Sequence, residues 1–175
     1  LRRQGTITFF DPEQNCPISS QIDLLYLPGG YPERHLDVLG KADETITSIH
    51  KYIEDGGCVI AECGGMMYLS QGISYDLELS ENPHTGFCKL VGVFPFYISN
   101  EKSDRKLSLG YRWFEYNGQQ LRGHEFHYTQ FGKTAEKYEL NFSGKLPLSV
   151  AQVYNAKGEP VSTPVFRYKN VIASY

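Results

Sequence analysis

The fold is decided by the stretch Val59-Ile60-Ala61-Glu62-Cys63-Gly64-Gly65-Met66-Met67-Tyr68-Leu69. It is a short apolar run that stops at a cysteine and continues as a glycine-led amphipathic segment, which predicts a strand, a sharp turn and a helix. A nucleophile elbow has small residues two positions before and after the nucleophile, because the strand and the helix cross closely there. Ala61 and Gly65 occupy those two positions around Cys63.

Such a turn presents the Cys63 sulfur above the sheet edge, where backbone N–H groups of the following helix face it. A helix N-terminus lowers the pKa of a thiol and can hold a developing oxyanion. We therefore predict that Cys63 is a nucleophile and that it needs a partner base. The alternative is a buried cysteine followed by a flexible Gly-Gly turn.

Length and composition exclude several classes of protein. The 175 residues are enough for one well-buried domain and too few for two ordinary ones. The 41% hydrophobic and 21% charged fractions are typical of a soluble globular protein, and no run approaches the roughly 18 apolar residues of a membrane span. A net charge of −3 with scattered basic residues argues against a nucleic acid partner. We expect neither a membrane nor nucleic acid as a partner.

The chain contains four cysteines, Cys16, Cys58, Cys63 and Cys88. They form no C-x-x-C pair and no His/Cys metal spacing, so we expect reduced thiols in the cytoplasm and no metal site. The sequence starts at Leu1 rather than at methionine, and residues 171–175 read as an apolar strand with no polar tail after it. We expect this chain to be a piece of a longer protein.

The first half of the sequence predicts a β-α-β unit. Residues 5–10 are β-branched and aromatic and predict a first strand. Residues 23–27 are continuously apolar, which predicts a strand buried on both faces, as in a parallel sheet covered by helices. Residues 41–55 have apolar positions at helical spacing, and Gly56-Gly57 ends this predicted helix before the strand that leads to Cys63.

A glycine-rich loop, Pro28-Gly29-Gly30-Tyr31-Pro32, follows the strand at 23–27. Glycine in such a loop lets the backbone approach a ligand closely, although an ordinary strand-to-helix connection is the alternative. Ligands of parallel sheets bind at the carboxyl ends of the strands. Since the loop and Cys63 both follow such ends, we expect them to be able to meet.

The second half changes to shorter extended runs rich in aromatic residues. We predict strands, several of them antiparallel, at 91–98, 107–116 and 123–128, and an exposed loop at 80–86. Residues 150–154 and 165–168 resemble a hairpin that precedes the last strand. Gly132-Lys133-Thr134 imitates the end of a P-loop, but His127 stands where the motif needs its first glycine, so no nucleotide site is predicted here.

The densest cluster of reactive side chains after Cys63 is His124-Glu125-Phe126-His127-Tyr128. In a strand, His124, Phe126 and Tyr128 share one face, and Glu125 and His127 share the other. Either histidine could serve as the base if the fold brings it near Cys63. The spacing is only a weak hint of a metal, since zinc sites usually add further Cys or His ligands, and the sequence does not show which residues these would be. Packing of the two histidines at a site rim is the alternative.

Several blocks together resemble the glutamine amidotransferase domain of the cobyrinic acid a,c-diamide synthase family, in the right order from residue 23 to the last residue. They are Leu27-Pro28-Gly29-Gly30-Tyr31-Pro32-Glu33, Ala61-Glu62-Cys63-Gly64-Gly65-Met66-Met67-Tyr68-Leu69, Leu109-Gly110-Tyr111-Arg112, Gly123-His124-Glu125-Phe126-His127-Tyr128 and Ala173-Ser174-Tyr175.

The resemblance implies a class I glutaminase over residues 1–175, with a flavodoxin-like α/β sheet, helices on both faces and additional antiparallel strands in the C-terminal half. It implies no cofactor in this domain, and an N-terminal synthetase domain that would use ATP and Mg²⁺. Glutamine would yield ammonia here, and the ammonia would amidate the a and c carboxylates of a corrin in cobalamin biosynthesis. Close relatives amidate nickel-sirohydrochlorin or hydrogenobyrinic acid. A function of another class is an inactive glutamine-binding or docking module.

The resemblance also implies roles for individual residues. Cys63 matches the family nucleophile, and the backbone N–H groups of Gly30 and Gly64 are expected to form the oxyanion hole. His127, Glu125 and Tyr111 fall in family blocks and are expected to position substrate or to act as a secondary base. In the family, the strand that reads like Ala173-Ser174-Tyr175 continues within a few residues to a histidine that looks like the main base, and we expect that histidine beyond Tyr175.

Overall fold

The computed structural model describes residues 5–77, 85–133, 138 and 147–175, and these form a mixed α/β structure of several sheets and few helices. The strands are β1 (Leu25–Leu27), β2 (Val59–Glu62), β3 (Gly72–Asp76), β4 (Thr85–Lys89), β5 (Ile98–Ser99), β6 (Ser108–Tyr116), β7 (Gln119–His127), β8 (Gln130–Phe131), β9 (Val153–Asn155), β10 (Pro160–Val161), β11 (Val165–Tyr168) and β12 (Val171–Ser174). The helices are α1 (Leu36–Leu39), α2 (Asp43–Glu54) and α3 (Gly64–Tyr68), and 3-10 turns cover Pro12–Gln14 and Pro32–Arg34.

The sheet that positions the site has the order β1-β2-β12-β11. Strands β1, β2 and β12 run parallel, and β11 pairs with β12 in the antiparallel sense. Ala61 pairs with Leu27 on one side and with Ala173 on the other, so the three parallel strands end side by side. The predicted β-α-β unit is confirmed, and its strand ends meet at the edge that carries Cys63.

One face of this sheet packs into the core. The core-facing residues of its parallel strands are Leu25, Leu27, Val59, Ala61, Val171 and Ala173. Helix α2, close to the predicted 41–55, adds Ile49 and Ile53 to the same core. On the other face, Tyr26 is 48% exposed and Ile60 is 42% exposed. The prediction that residues 23–27 are buried on both faces is therefore wrong for this chain. An apolar run indicates a hydrophobic strand, but it does not show that other parts of the chain pack on both faces of that strand.

Two predicted strands differ from the structure. Residues 5–10 form no strand, and Phe9 is 90% exposed. A β-branched run forms a strand only where a neighbour supplies its backbone hydrogen bonds, and no described strand pairs with this segment. Of residues 91–98, only Ile98 lies in a strand; Phe94 and Phe96 are instead buried in a core loop. Aromatic content here reflects packing rather than strand pairing.

The long hairpin β6–β7 dominates the second half. Its register runs from Ser108 opposite His127 to Tyr116 opposite Gln119. The turn between the strands is Asn117-Gly118, and both residues have positive φ, 50° and 74°, as a type I′ turn requires. The predicted strands at 107–116 and 123–128 are therefore confirmed. The second strand, β7, begins four residues earlier than predicted, at Gln119.

The remaining antiparallel elements pair differently from the prediction. Strand β9 turns back at Lys157-Gly158 onto β10, whereas β11 forms a hairpin with β12. The predicted hairpin between 150–154 and 165–168 is therefore wrong, because β9 pairs with β10 and β11 pairs with β12, and each of these partners is closer in sequence. Of the predicted loop at 80–86, residues 80–84 lie outside the described residues and Thr85 and Gly86 begin β4. Within the described part of the chain, no helix is long and apolar enough to cross a membrane.

Candidate active site

Cys63 occupies a tight turn between β2 and α3. Its φ of 49° and ψ of −108° lie in a region that a non-glycine residue rarely adopts. Such a conformation costs about 1–3 kcal/mol and persists only where the surrounding structure holds it. The Cys63 N–H donates to the Ser174 carbonyl oxygen at 2.8 Å, and the Met67 N–H donates to the Cys63 carbonyl oxygen at 3.0 Å. The backbone geometry is therefore that of the predicted elbow.

The glycines beside Cys63 are required by close backbone contacts. A β-carbon on Gly64 would lie 2.5 Å from the Gly30 carbonyl oxygen, and one on Gly65 would lie 2.3 Å from the Leu27 carbonyl oxygen. A β-carbon on Gly29 would lie 3.6 Å from Cys63 Cβ. The Gly29-Gly30 loop and the cysteine turn therefore meet, as their positions after neighbouring strands predicted.

The electrostatic environment of the Cys63 thiol differs from the expected one. Burial raises its pKa, the N–H groups of Gly64 and Gly30 lower it, and the charges of Glu33 and Glu125 raise it again. The net shift is upward, so desolvation and two carboxylates outweigh the backbone donors. The prediction of a lowered thiol pKa is therefore wrong. Helix α3 has only five residues, and its N–H donors lower the pKa by less than burial and the two carboxylates raise it. A thiol in this state needs a base before it can attack.

A buried ion network lies on the hairpin beside the cysteine. Glu125 is 4% exposed, and its Oε2 accepts from Arg112 Nε at 2.6 Å and from Thr163 Oγ1 at 2.8 Å. Its Oε1 accepts from His127 Nε2 at 2.8 Å. Burial raises the Glu125 pKa, but the hydrogen bonds from His127, Thr163 and Arg112 outweigh it and lower the pKa to about 2. Glu125 is therefore a fixed negative charge at the centre of the network.

His127 is held on both sides. Its Nε2 faces Glu125 Oε1 and its Nδ1 faces the Thr129 carbonyl oxygen, each at 2.8 Å. Both partners are acceptors, so each bond needs a ring N–H. The ring also stacks on Tyr175 at 3.5 Å between centroids, so His127 is held by three partners and both of its ring nitrogens are occupied.

The alternation expected for residues 124–128 is observed. Glu125 and His127 are buried, whereas His124, Phe126 and Tyr128 are exposed. Tyr111 is 72% exposed on the outer face, opposite His124, and its ring contacts the His124 ring edge-on at 5.3 Å. The structure therefore brings Glu125 and His127 together but leaves Tyr111 on the other face of the hairpin. The Phe126 carbonyl oxygen lies 4.0 Å from Cys63 Sγ and joins the hairpin to the cysteine.

Tyr175, the residue after β12, lies beside His127 and Thr129. Its hydroxyl is 3.1 Å from Thr129 Oγ1. Burial raises its pKa, and the charges of Cys63, Glu33 and Glu125 raise it further. These influences place the thiol and both carboxylates around the end of β12.

Glu33 is a site residue that the sequence reasoning did not single out. It follows the Gly29-Gly30 loop in the 3-10 turn Pro32–Arg34, and its Oε2 is buried without a hydrogen-bond partner among the described residues. It also lines a cavity of about 750 Å³. The sequence did contain a signal for Glu33, because this residue ends the family block that begins at Leu27. A carboxylate after a glycine loop does not by itself indicate a binding site.

Other candidate chemistry is sparse in the described ranges. They contain no group of three or more His, Cys, Asp or Glu side chains that could hold a metal ion. The four cysteines are free thiols, with Cys16 and Cys58 exposed and Cys88 buried. The structure therefore offers two exposed thiols against which the reactivity of Cys63 can be compared.

Comparison with known proteins gives a consistent result. The family described as the CobB/CobQ-like glutamine amidotransferase domain matches residues 1–175. The cobyrinate a,c-diamide synthase of Sulfurisphaera tokodaii is 39% identical over 135 residues, 73% of this chain and 28% of that protein. The hydrogenobyrinate a,c-diamide synthase of Brucella abortus is 33% identical over 179 aligned positions, 99% of this chain and 37% of that protein. The chain thus spans about a third of the length of these curated relatives.

Proposed function

The chain belongs to the CobB/CobQ-like glutamine amidotransferase domain family, and on that premise we propose that it hydrolyses glutamine through a Cys63 thioester. The observation that carries the proposal is the Cys63 turn, where a strained backbone at φ 49° presents a thiol to the N–H groups of Gly30 and Gly64. Backbone donors near a reacting carbonyl stabilise the oxyanion of a tetrahedral intermediate. A cysteine in this setting is suited to acyl transfer.

In the proposed reaction, a base removes the Cys63 proton and the sulfur attacks the side-chain amide carbon of glutamine. The carbonyl oxygen gains negative charge, which the N–H groups of Gly30 and Gly64 stabilise. The C–N bond then breaks, and the nitrogen takes a proton and leaves as ammonia. Water attacks the resulting glutamyl thioester, glutamate is released, and Cys63 recovers its proton.

The main base in this proposal is the family histidine that follows the Ala173-Ser174-Tyr175 block. Ser174 pairs with Glu62 in register, and the Cys63 N–H binds the Ser174 carbonyl oxygen. Residues that continue β12 past Tyr175 would therefore run beside the thiol. Because both nitrogens of His127 face acceptors, His127 is assigned a positioning role: it holds Glu125 and the Tyr175 ring in place.

The whole protein is proposed to be an a,c-diamide synthase, as the two relatives are named. A synthetase domain outside this chain would bind ATP and Mg²⁺, activate the a and c carboxylates of a cobyrinate or hydrogenobyrinate acceptor, and receive the ammonia in cobalamin biosynthesis. The proposal includes a class I, flavodoxin-like arrangement; the helices that it places on the second face of the sheet would have to cover Tyr26 and Ile60, which are exposed in this chain. The parallel pairing of β1, β2 and β12 supports this arrangement.

Labelling with an electrophilic glutamine analogue tests the proposed chemistry. Full-length protein is treated with 6-diazo-5-oxonorleucine, and labelled peptides are identified by mass spectrometry. We expect modification of Cys63 that added glutamine slows, with Cys16 and Cys58 unmodified although both are exposed. An unlabelled Cys63 would favour the docking-module alternative, and labelling of all exposed thiols alike would show reactivity without a glutamine site.

A further inference from the structure

Glu33 is fixed close to the proposed reaction centre by its place in the chain. The Gly30 backbone that precedes it touches Gly64, and the turn Pro32–Arg34 continues directly from that loop. The negative charge of Glu33 reaches both the Cys63 thiol and the Tyr175 hydroxyl, since it raises the pKa of each. A group bound at Glu33 would therefore lie near the reacting thiol.

The Glu33 carboxylate has an unmet hydrogen-bonding capacity. Its Oε2 is buried, and within the described ranges it has no hydrogen-bond partner. Burial raises the pKa of Glu33, and its own N–H and the charges of Arg34, Arg105 and His35 only partly offset that effect. A buried acceptor without a donor is destabilising, and more so when it is charged. Native structures rarely keep such an atom without a reason, and a ligand donor is one.

The cavity that Glu33 lines suits a small zwitterion. Its volume of about 750 Å³ lies within the range of small-molecule sites. Arg34 and Arg105 line the same cavity, so negative and positive groups stand side by side. Cys63 does not line the cavity. Glu33 does line it, and the negative charge of Glu33 raises the pKa of the Cys63 thiol. A charged head group that reaches Glu33 would therefore meet both signs of charge.

We propose that the Glu33 carboxylate binds the α-ammonium group of the glutamine substrate. Only two methylene groups separate the amide carbon of glutamine from its α-carbon, so an amide at Cys63 leaves the α-ammonium within reach of a neighbouring side chain. The ammonium supplies the N–H donors that Oε2 lacks. This inference rests on the proposed glutaminase function and identifies the residue by which the site distinguishes an amino acid from a simple amide.

The test compares two substrates that share the same amide. Ammonia release is measured for glutamine and for glutaramate, which lacks only the α-amino group, in full-length wild type, Glu33→Gln, Glu33→Asp and Asp37→Asn. Asp37 lines the same cavity and serves as the matched control carboxylate. Hydrogen bonds to charged groups are worth about 1.5–3 kcal/mol, so wild type should prefer glutamine by about 10- to 100-fold in kcat/KM.

Glu33→Gln is expected to abolish this preference by raising KM for glutamine relative to KM for glutaramate. Because the Glu33 charge also acts on the Cys63 thiol, the readout is the ratio of the two kcat/KM values within each variant. Asp37→Asn should keep the wild-type ratio, and Glu33→Asp should fall between wild type and Glu33→Gln. Glutaramate turnover in each variant shows that the site is folded; if Glu33→Gln does not fold, Glu33→Asp decides. A wild-type ratio in the Glu33 variants, an equal loss on both substrates, or a wild type without preference overturns the inference. A wild type that turns over neither substrate instead refutes the glutaminase function.

Discussion

The Cys63 N–H donates a hydrogen bond to the Ser174 carbonyl oxygen at 2.8 Å, which ties the Cys63 turn to the last strand. The same strand places the Tyr175 ring against His127 at 3.5 Å. The end of β12 therefore lies between the thiol and the ion network of the hairpin. In the full-length protein, residues that continue past Tyr175 would enter the site at this point.

The first prediction concerns the base. In full-length protein, replacing the family histidine after Tyr175 by alanine should abolish thioester formation, whereas His127→Ala should reduce it by less, because both nitrogens of His127 already face other hydrogen-bond partners. Rapid quenching with denaturant, followed by mass spectrometry of the acylated Cys63 peptide, measures both variants. Complete loss of the thioester in His127→Ala alone would reverse this ranking.

The second prediction concerns the contact between the two glycine segments. Gly64→Ala should lower the thermal unfolding midpoint and glutaminase kcat, because its β-carbon would lie 2.5 Å from the Gly30 carbonyl oxygen and would push the loop away. Overpacking of this kind costs about 1–3 kcal/mol, and loss of one oxyanion donor costs about 100- to 1000-fold in kcat. Differential scanning calorimetry and steady-state kinetics measure the two effects.

Gly30→Ala is the matched control for stability. A β-carbon there meets no atom within 4 Å, so the unfolding midpoint should stay at the wild-type value. Equal unfolding midpoints for Gly64→Ala and Gly30→Ala would show that the backbones of Gly64 and Gly30 are not in tight contact.

The third prediction concerns the acid stability of the hairpin network. The folded pKa of Glu125 is lowered from 4.5 to about 2, so its contribution to stability is fully present above pH 4.5 and is lost as the pH falls toward 2. Glu125→Gln should lower stability at pH 7 by about 3–5 kcal/mol, because Arg112 and His127 lose their shared partner. Urea unfolding between pH 3 and pH 7 should show a shallower pH dependence in this variant.

Glu115→Gln removes an exposed carboxylate of the same hairpin and should leave the urea midpoint at pH 7 unchanged. An unchanged pH dependence in Glu125→Gln would mean that other carboxylates carry the acid sensitivity.

The sequence predicted the β1-α2-β2 unit and the Cys63 turn because their signals are local. Small residues at Ala61 and Gly65, an apolar run before Cys63 and a glycine loop after a second strand specify backbone geometry within a few positions. The structure shows why: the glycine positions touch neighbouring backbone. The alternation around Glu125 was equally readable, since strand period alone separates its two faces.

The rest depends on partners distant in sequence. Residues 5–10 have strand composition, but no described strand pairs with them, and strands at 150–154 and 165–168 each paired with a closer neighbour. The raised pKa of Cys63 depends on burial and on Glu33 and Glu125, which only tertiary contacts bring to the thiol. Tyr111 lies in a recognisable block, yet strand register puts it on the outer face, opposite His124.

Amidation by full-length Cys63→Ser with two nitrogen sources tests directly whether Cys63 is the nucleophile. Glutamine-dependent amidation and glutamine hydrolysis should fall to background, because the hydroxyl is a poor nucleophile in a site built for a thiol, while amidation with ammonium chloride should remain at the wild-type rate. Cys58→Ser, an exposed thiol nearby in sequence, should behave as wild type in both assays. Glutamine hydrolysis at the wild-type rate in Cys63→Ser would contradict the account.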